Sequence, residues 1–230
     1  MRLKILSWNI WVDGKFDQIA GFLKTAKADI IGLQEVEVND LQLDIIGFLK
    51  SLGYEYVFAP VRKVFGEEIW NDGPAIFSKY KMIDTKTYLL SETDGRAAIK
   101  ADIKIENKIL HVFCTHLKHT HQQPSELQEL QIKTLIKVLP KEKTIVMGDF
   151  NAMPDSAAIK AMTKIMIDSD PTSTPTINAP LFDCSGCDMS NVADIRLDYI
   201  FASKDIKANS FKVHGAVSSD HLPISAIITI

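Results

Sequence analysis

The sequence has few cysteines, no long apolar run and no excess of positive charge. Three cysteines occur in 230 residues, too few for a disulfide scaffold and typical of a reducing compartment. No apolar run approaches the ~18 residues of a membrane-spanning helix. The first residues also lack the apolar core and cleavage site of a signal peptide. Lys and Arg number 26 against 29 Asp and Glu, which argues against binding nucleic acid through a general positive field. We therefore expect a cytoplasmic protein without a membrane span.

Several common catalytic signatures are also missing from the sequence. There is no GxxxxGK[ST] phosphate loop and no GxGxxG dinucleotide fingerprint. Neither the GxSxG nucleophile elbow nor the HExxH zinc motif occurs. These absences argue against a nucleoside triphosphatase, a dinucleotide-dependent dehydrogenase, an α/β-hydrolase and the common zinc proteases.

The composition is that of a globular protein, with 46% apolar and 24% charged residues. Strand-like segments alternate with amphipathic helical ones, which predicts an α/β protein with two packed mixed sheets under flanking helices. The stretch 168–180 has a linker-like composition. It could divide two domains, but polar candidates on both sides of it would have to meet, which favours a long functional loop. We expect residues 1–230 to form one domain.

Polar side chains stand at the ends of the predicted strands. Each apolar segment delivers a carboxylate, a carboxamide or an imidazole, and strand ends on one edge of a sheet lie close together. Taken one at a time, each of these residues is explained as well by a turn, a salt bridge or a solvated surface. Their recurrence at six strand ends favours a shared site. The residues are Asn9, Glu35, His116, Asp149, Asn151, Asp198, Asp220 and His221.

These residue types suit the hydrolysis of phosphate esters. Hard divalent cations prefer oxygen ligands, and Mg²⁺ takes one or two carboxylates together with water and substrate oxygens. Asp149 and Asn151 are two residues apart, so on an extended chain both side chains point to the same face. An Asp beside a His can hold the imidazole in one tautomer and favour its charged form. Phosphoester cleavage requires a positioned water, a base, a metal and donors to the phosphoryl oxygens.

Six short motifs, in order along the chain, resemble those of the endonuclease/exonuclease/phosphatase superfamily. A further segment, NDGPAIFSKY at 71–80, is similar to a strand of that family. The resemblance implies a four-layer α/β/β/α sandwich with its site at one edge of the paired sheets. It also implies Mg²⁺- or Mn²⁺-dependent hydrolysis of a phosphoester. The motifs are SWN (7–9), LQE (33–35), THL (115–117), GDFN (148–151), RLDYI (196–200) and SDH (219–221).

The resemblance also assigns metal ligands. Glu35 would be the principal ligand, and Asn9 would lie in or beside the metal shell. Asp220 would be the second acidic ligand, because Asp198 is the better candidate for pairing with His221.

The remaining motif residues would act on water and phosphate. Asp149 would orient or deprotonate the attacking water for in-line displacement, and Asn151 would support it. His221, paired with Asp198, would donate to a phosphoryl oxygen as charge builds in the transition state. His116 would donate from the other side.

The resemblance restricts the type of reaction more than it restricts the substrate. The THL motif, with Gln128 and Gln131 on the following helix, resembles the branch containing tyrosyl-DNA phosphodiesterases, sphingomyelinase-type enzymes and pancreatic-type deoxyribonucleases. The Tyr-x-Pro-Asn segment of exonuclease-III-like abasic nucleases is absent. We expect a monomeric nuclease or DNA-end-processing phosphodiesterase without a stable protein partner. The alternative is a phosphatase or phosphodiesterase for lipids, inositol phosphates or other small phosphoesters. A binding module that has kept the fold ranks last, since the main motif residues are present.

Two further groups lie outside these motifs. His119 and His121 follow the THL motif, and we expect them on a loop at the rim of the cleft, with a zinc site as the lesser alternative. Cys184 and Cys187 form a CxxC without a second cysteine pair, which we interpret as a loop thiol pair without function, with redox or metal use as the lesser alternative. Arg96 and Lys118 are candidates for contact with substrate phosphate, although exposed surface charges are the simpler interpretation.

Overall fold

A computed structural model of the protein describes residues 1–38, 43–65, 68–92, 94–215 and 218–230. In this part of the chain, two mixed sheets of seven and six strands are flanked by four α-helices. The seven-stranded sheet contains β1 (Arg2–Asn9), β2 (Ile30–Glu37), β3 (Glu55–Phe58), β4 (Val61–Phe65), β5 (Glu68–Ser78), β12 (Lys207–Val213) and β13 (Ile224–Thr229). The six-stranded sheet contains β6 (Met82–Leu89), β7 (Ala97–Ile105), β8 (Lys108–His116), β9 (Thr144–Asp149), β10 (Ile167–Asp168) and β11 (Asp198–Ala202). The helices are α1 (Phe16–Ala26), α2 (Ile45–Ser51), α3 (Glu126–Val138) and α4 (Ala157–Ile165).

The central strands are apolar on both faces, because each face is covered. Successive side chains of a strand point to opposite faces. In β1, Ile5 packs between the sheets, while Leu6 packs outward among residues of α1 and α2. In β8, Val112 packs between the sheets, while Phe113 packs against α3 and α4. Three apolar layers therefore separate four layers of structure, and the predicted α/β/β/α sandwich is confirmed.

Local sequence signals explain most element boundaries, but a bulge makes the first half of one strand unrecognisable in the sequence. Helix α3 begins after Ser125, whose hydroxyl oxygen accepts a hydrogen bond from the Gln128 backbone N–H, a common N-cap arrangement. The apolar residues of the sequence predict a closing strand over 211–217, whereas β12 begins earlier, at Lys207, and ends at Val213. A bulge between Asn209 and Lys212 interrupts the alternation of apolar and polar residues, so the sequence does not show the first half of this strand. Residues 216 and 217 lie outside the described residues.

The topology brings the predicted polar strand ends to one edge of the sandwich. Strands β1 and β2 are parallel, and so are β8 and β9, so the carboxyl ends of both pairs face the same way. Strand β11 enters the same edge in the opposite direction, with Asp198 beside Asp149. Ile177, within the predicted loop 168–180, forms a bridge with His221. Among the described residues, no helix combines the length and apolar character needed to cross a membrane.

Candidate active site

Asp149 lies at the centre of the polar edge and is almost fully buried. Its Oδ2 atom lies 3.2 Å from Asn9 Nδ2, 3.2 Å from Asn151 Nδ2 and 3.3 Å from His116 Nε2. Its other oxygen accepts a hydrogen bond of 2.8 Å from the backbone N–H of Asn151. His221 Nε2 lies 3.7 Å from Oδ2. One carboxylate therefore joins residues from four of the six motifs.

The GDFN motif has this form for steric reasons. Gly148 has a φ of +147°, and a Cβ there would overlap the carbonyl oxygen of Thr115 on the neighbouring strand β8. Glycine alone allows the two strands to approach this closely. Asn151 has a φ of 48°, in the left-handed region that Asn tolerates better than most residues. This turn lets the Asn151 backbone and side chain both bond Asp149.

Glu35 is turned into the site by a bulge in β2. The register of β2 against β5 shifts between Leu33 and Val36, and Glu35 has a φ of 57°. Its Oε1 accepts a hydrogen bond of 3.1 Å from Asn9 Nδ2, and its Oε2 accepts one of 3.2 Å from Val12 N–H. Bulges commonly redirect a side chain beside an active site.

Asn9 presents its amide nitrogen, and not its oxygen, to the carboxylates. The Oδ1 atom accepts a hydrogen bond of 3.1 Å from the backbone N–H of Trp11, while Nδ2 donates to both Glu35 and Asp149. In this arrangement Asn9 orients two acidic side chains.

His221 and Asp198 form a buried pair across the two sheets. His221 Nδ1 lies 2.8 Å from Asp198 Oδ2, and both residues are at most 4% exposed. Trp8 Nε1–H donates to the His221 carbonyl oxygen at 2.9 Å, and Ser219 accepts from His221 N–H at 3.1 Å. Thr176 Oγ1 accepts from Asp198 N–H at 3.2 Å. Both partners are therefore held by neighbouring structure.

The electrostatics of the site favour a protonated imidazole beside buried acids. Burial lowers the pKa of His221, but the carboxylates of Asp198, Asp149 and Asp220 outweigh this and raise the pKa well above 6.5. Burial raises the pKa of Asp149, and the charge of Asp198 raises it further, against the opposing effect of His221. Burial also raises the pKa of Asp220, aided by the charges of Glu35 and Asp149. Negative charge is concentrated here in excess of what His221 neutralises.

The polar residues line an open cleft of about 310 Å³. Asp220 lies on its wall, as do Arg96 and the histidines His119 and His121. The structure brings together all eight predicted site residues. They are Asn9, Glu35, His116, Asp149, Asn151, Asp198, Asp220 and His221.

Sequence reasoning did not identify Gln128 as a support for the site. Its buried amide donates to the carbonyl oxygens of Lys118, Phe150 and Asn151 at 3.1, 3.1 and 2.8 Å. These bonds hold the turn after β9 against helix α3. The sequence does place this glutamine on the apolar face of a helix. Because a buried amide needs hydrogen-bond partners, that position could have indicated a structural role.

A paired-sheet sandwich with acids, carboxamides and a histidine–aspartate pair at one edge defines a class of phosphoester hydrolases. The sequence profile of the endonuclease/exonuclease/phosphatase family matches residues 6–221. The chain therefore belongs to this family, whose members are hydrolases of phosphoester bonds and depend on a divalent metal. A search of the curated proteins found no match.

Solved structures share the fold. An endonuclease/exonuclease/phosphatase from Bacteroides vulgatus superposes with a TM-score of 0.80 at 22% identity, covering 100% of this chain and 99% of that one. The human Nocturnin catalytic domain with bound sulfate gives 0.74 at 21% identity, covering 99% and 94%. ANGEL2, a 2′,3′-cyclic phosphatase in complex with adenosine-2′,3′-vanadate, gives 0.74 at 17% identity, covering 99% and 95%. At these identities the likeness shows the fold alone.

Proposed function

We propose that this protein is a Mg²⁺- or Mn²⁺-dependent phosphodiester hydrolase acting by in-line attack of water, with nucleic acid as the substrate class. The observation that carries the proposal is the position of Asp149. Its carboxylate accepts hydrogen bonds from the side-chain amides of Asn9 and Asn151. Its Oδ2 atom lies 3.7 Å from Nε2 of His221, whose other ring nitrogen pairs with Asp198. A base and a positively charged donor are thus placed side by side.

The donor set suits a hard divalent cation. Glu35 and Asp220 supply carboxylate oxygens at the cleft, and burial together with mutual repulsion raises the pKa of Asp220. Excess buried negative charge of this kind is what a bound cation relieves. Asp149, Asp198 and His221 also present donor atoms within 4.8 Å of one another. The His221–Asp198 hydrogen bond and the 3.7 Å ion pair between His221 and Asp149 explain this closeness. We therefore assign the metal to Glu35 and Asp220, with Asn9 orienting Glu35.

When bound, a divalent metal would polarise the phosphoryl group and stabilise charge on its oxygens. The chain's own residues supply the other requirements. Asp149, fixed by Asn9 and Asn151, orients the attacking water and accepts its proton. His221, kept protonated by Asp198, donates to a phosphoryl oxygen as negative charge develops. His116 Nε2, on the other side of Asp149, is a second donor.

A specific observation favours a second candidate, the hydrolysis of a small phosphoester. The cleft is small, and its acidic wall residues include Asp183 as well as Glu35 and Asp220. Long nucleic acids usually require several cationic contacts to phosphate. Among the described residues that line this cleft, Arg96 is the one arginine, and there is no lysine. A 2′,3′-cyclic nucleotide is one substrate to include, because ANGEL2 shares the fold.

The two candidates are separated by a substrate panel with Mg²⁺, with Mn²⁺ and with EDTA. The panel contains bis-p-nitrophenyl phosphate, p-nitrophenyl phosphate, abasic and nicked duplex DNA, a 5′-tyrosyl oligonucleotide and a 2′,3′-cyclic nucleotide. Metal-dependent cleavage of a DNA substrate supports the nucleic-acid proposal, and cleavage of the 5′-tyrosyl oligonucleotide without cleavage of abasic DNA supports the THL-type branch. Cleavage of the small esters alone supports the second candidate. Absence of turnover on every substrate with either metal would contradict both.

A further inference from the structure

A second cluster of metal-ligating side chains lies beside the catalytic residues. His119 and His121, in the turn after β8, meet Cys184 and Cys187 from the loop before β11. One donor atom from each of the four residues lies within 4.8 Å of the other three. These residues come from segments 63 to 68 positions apart. None of them belongs to the phosphoester motifs.

The distances between the histidine nitrogens and the cysteine sulfurs match a tetrahedral zinc site. His119 Nε2 lies 3.3 Å from Cys184 Sγ and 3.7 Å from Cys187 Sγ. His121 Nδ1 lies 3.5 and 3.9 Å from the same sulfurs. A zinc ion with Zn–S of about 2.3 Å and Zn–N of about 2.0–2.1 Å at a tetrahedral angle separates a sulfur and a nitrogen ligand by about 3.6 Å. The observed values bracket this separation.

Local backbone geometry directs the ligands toward each other. His121 has a φ of 51°, so the chain turns sharply and both rings can face the cysteines from a His-x-His spacing. Their ring centroids are 4.7 Å apart with nearly perpendicular planes. Gly186, inside the Cys-Ser-Gly-Cys turn, has a φ of +96° and lies against the His121 ring. Glycine adopts this conformation without strain.

The hydrogen bond made by His119 Nδ1 leaves Nε2 of the same ring available to bind a metal. His119 Nδ1 lies 2.9 Å from Asn151 Oδ1. The Asn151 amide nitrogen is directed to Leu117 O and Asp149 Oδ2, so the oxygen faces His119 and Nδ1 is the donor. In a neutral imidazole Nε2 then carries the lone pair and points at the sulfurs. Metal-binding histidines usually have such a second partner for their other ring nitrogen.

We propose that the reduced protein binds one Zn²⁺ through His119 Nε2, His121 Nδ1, Cys184 Sγ and Cys187 Sγ. In the structure the two cysteines are joined by a disulfide. A dithiol reductant supplies two electrons and two protons to this bond, giving two thiols and an oxidised reductant. Binding of Zn²⁺ then releases both thiol protons and leaves two thiolate ligands. This site is separate from the catalytic metal site and goes beyond the proposed phosphoesterase activity.

The test is zinc content of the full chain after dithiol reduction, chelation, reloading with Zn²⁺ and dialysis against excess Mg²⁺. We expect about one zinc per chain in the wild type and in Glu35→Gln, which removes the proposed catalytic ligand. The double substitution Cys184→Ser, Cys187→Ser should weaken zinc binding by at least about 100-fold, since loss of an outer partner alone costs about 10- to 100-fold. His121→Ala tests a ligand whose side chain is exposed, and His111→Gln is the matched histidine control outside the cluster.

Cobalt provides a readout that depends neither on enzymatic activity nor on zinc bound at other sites of the protein. Co²⁺ bound to the wild type should show thiolate-to-metal charge-transfer absorption, absent in the double cysteine variant and weakened in His121→Ala. Equal zinc retention and equal cobalt spectra in the wild type and the cysteine variant would overturn the proposal. So would a failure of Cys184 and Cys187 to react as free thiols after dithiol treatment, which would make the disulfide the stable form.

Discussion

His221 Nδ1 lies 2.8 Å from Asp198 Oδ2, and this bond connects the two sheets at the catalytic edge. Asp198 begins β11 of the six-stranded sheet, and His221 lies in the loop that leads to β13 of the seven-stranded sheet, which begins at Ile224. The pair is buried, so its charges interact more strongly than they would in water. The relative position of the two sheets therefore determines where the protonated imidazole points.

His221 and Asp198 should act as one unit in turnover. We expect His221→Ala to lower kcat by about 10²- to 10⁴-fold, the usual range for loss of a proton donor. Asp198→Asn should also lower kcat, because the amide cannot stabilise the imidazolium. The double variant should be no slower than His221→Ala, since groups that act together are non-additive. If the loss of kcat in the double variant equals the product of the two single losses, the residues act independently.

Asp149→Asn should abolish most turnover while the fold survives. The substitution keeps the size of the side chain and removes the carboxylate that we assign to the attacking water. We expect kcat to fall by about 10²-fold or more, with the midpoint of thermal unfolding close to that of the wild type. The comparison of kcat with the unfolding midpoint checks this prediction. Wild-type turnover in the folded variant would remove Asp149 from the mechanism.

Glu35→Gln should weaken the apparent affinity of the enzyme for its metal, with little effect on stability. Glu35 is only partly buried and lies at the cleft, so losing its charge should raise the Mg²⁺ concentration for half-maximal activity by about 10-fold or more. Glu37→Gln is the matched control, because Glu37 belongs to the same acidic run on β2. A metal titration of activity for both variants measures the difference. An equal shift in both would indicate a general effect of charge.

Asp170 should contribute stability that is lost in acid. Burial raises its pKa, but hydrogen bonds from Thr172 and Thr174 and the nearby Arg196 outweigh this and hold the pKa below its usual 3.8. A carboxylate with a lowered folded pKa stabilises the protein above the unfolded pKa, and this contribution disappears as pH falls through the folded value. We expect Asp170→Asn to lower the free energy of unfolding by about 1–3 kcal/mol at neutral pH.

The difference between the wild type and Asp170→Asn should shrink below about pH 4. Urea unfolding of both proteins at neutral and acid pH measures this difference. Asp84→Asn, at a mostly exposed carboxylate, is the control and should show little effect at either pH. A wild-type advantage that stays constant into acid would contradict the assignment.

Much of the fold follows from local patterns. The alternation in β7 and the cap at Ser125 are local properties of the chain, so the sequence shows them. The bulges in β2 and β12 are different, because each depends on the register of a neighbouring strand. The rotation of Glu35 into the site and the early start of β12 therefore could not be predicted from the sequence.

The sequence by itself determined which residues stand at the strand ends, because apolar runs and the polar residues that follow them are local features. The tertiary structure alone decided which of these meet. His221 reaches Asp198 across the sandwich, and His119 and His121 reach Cys184 and Cys187 across more than 60 residues. Such contacts depend on sheet packing and loop path, which no local pattern encodes. A CxxC that the sequence alone gives no clear role thus lies in a cluster with two histidines.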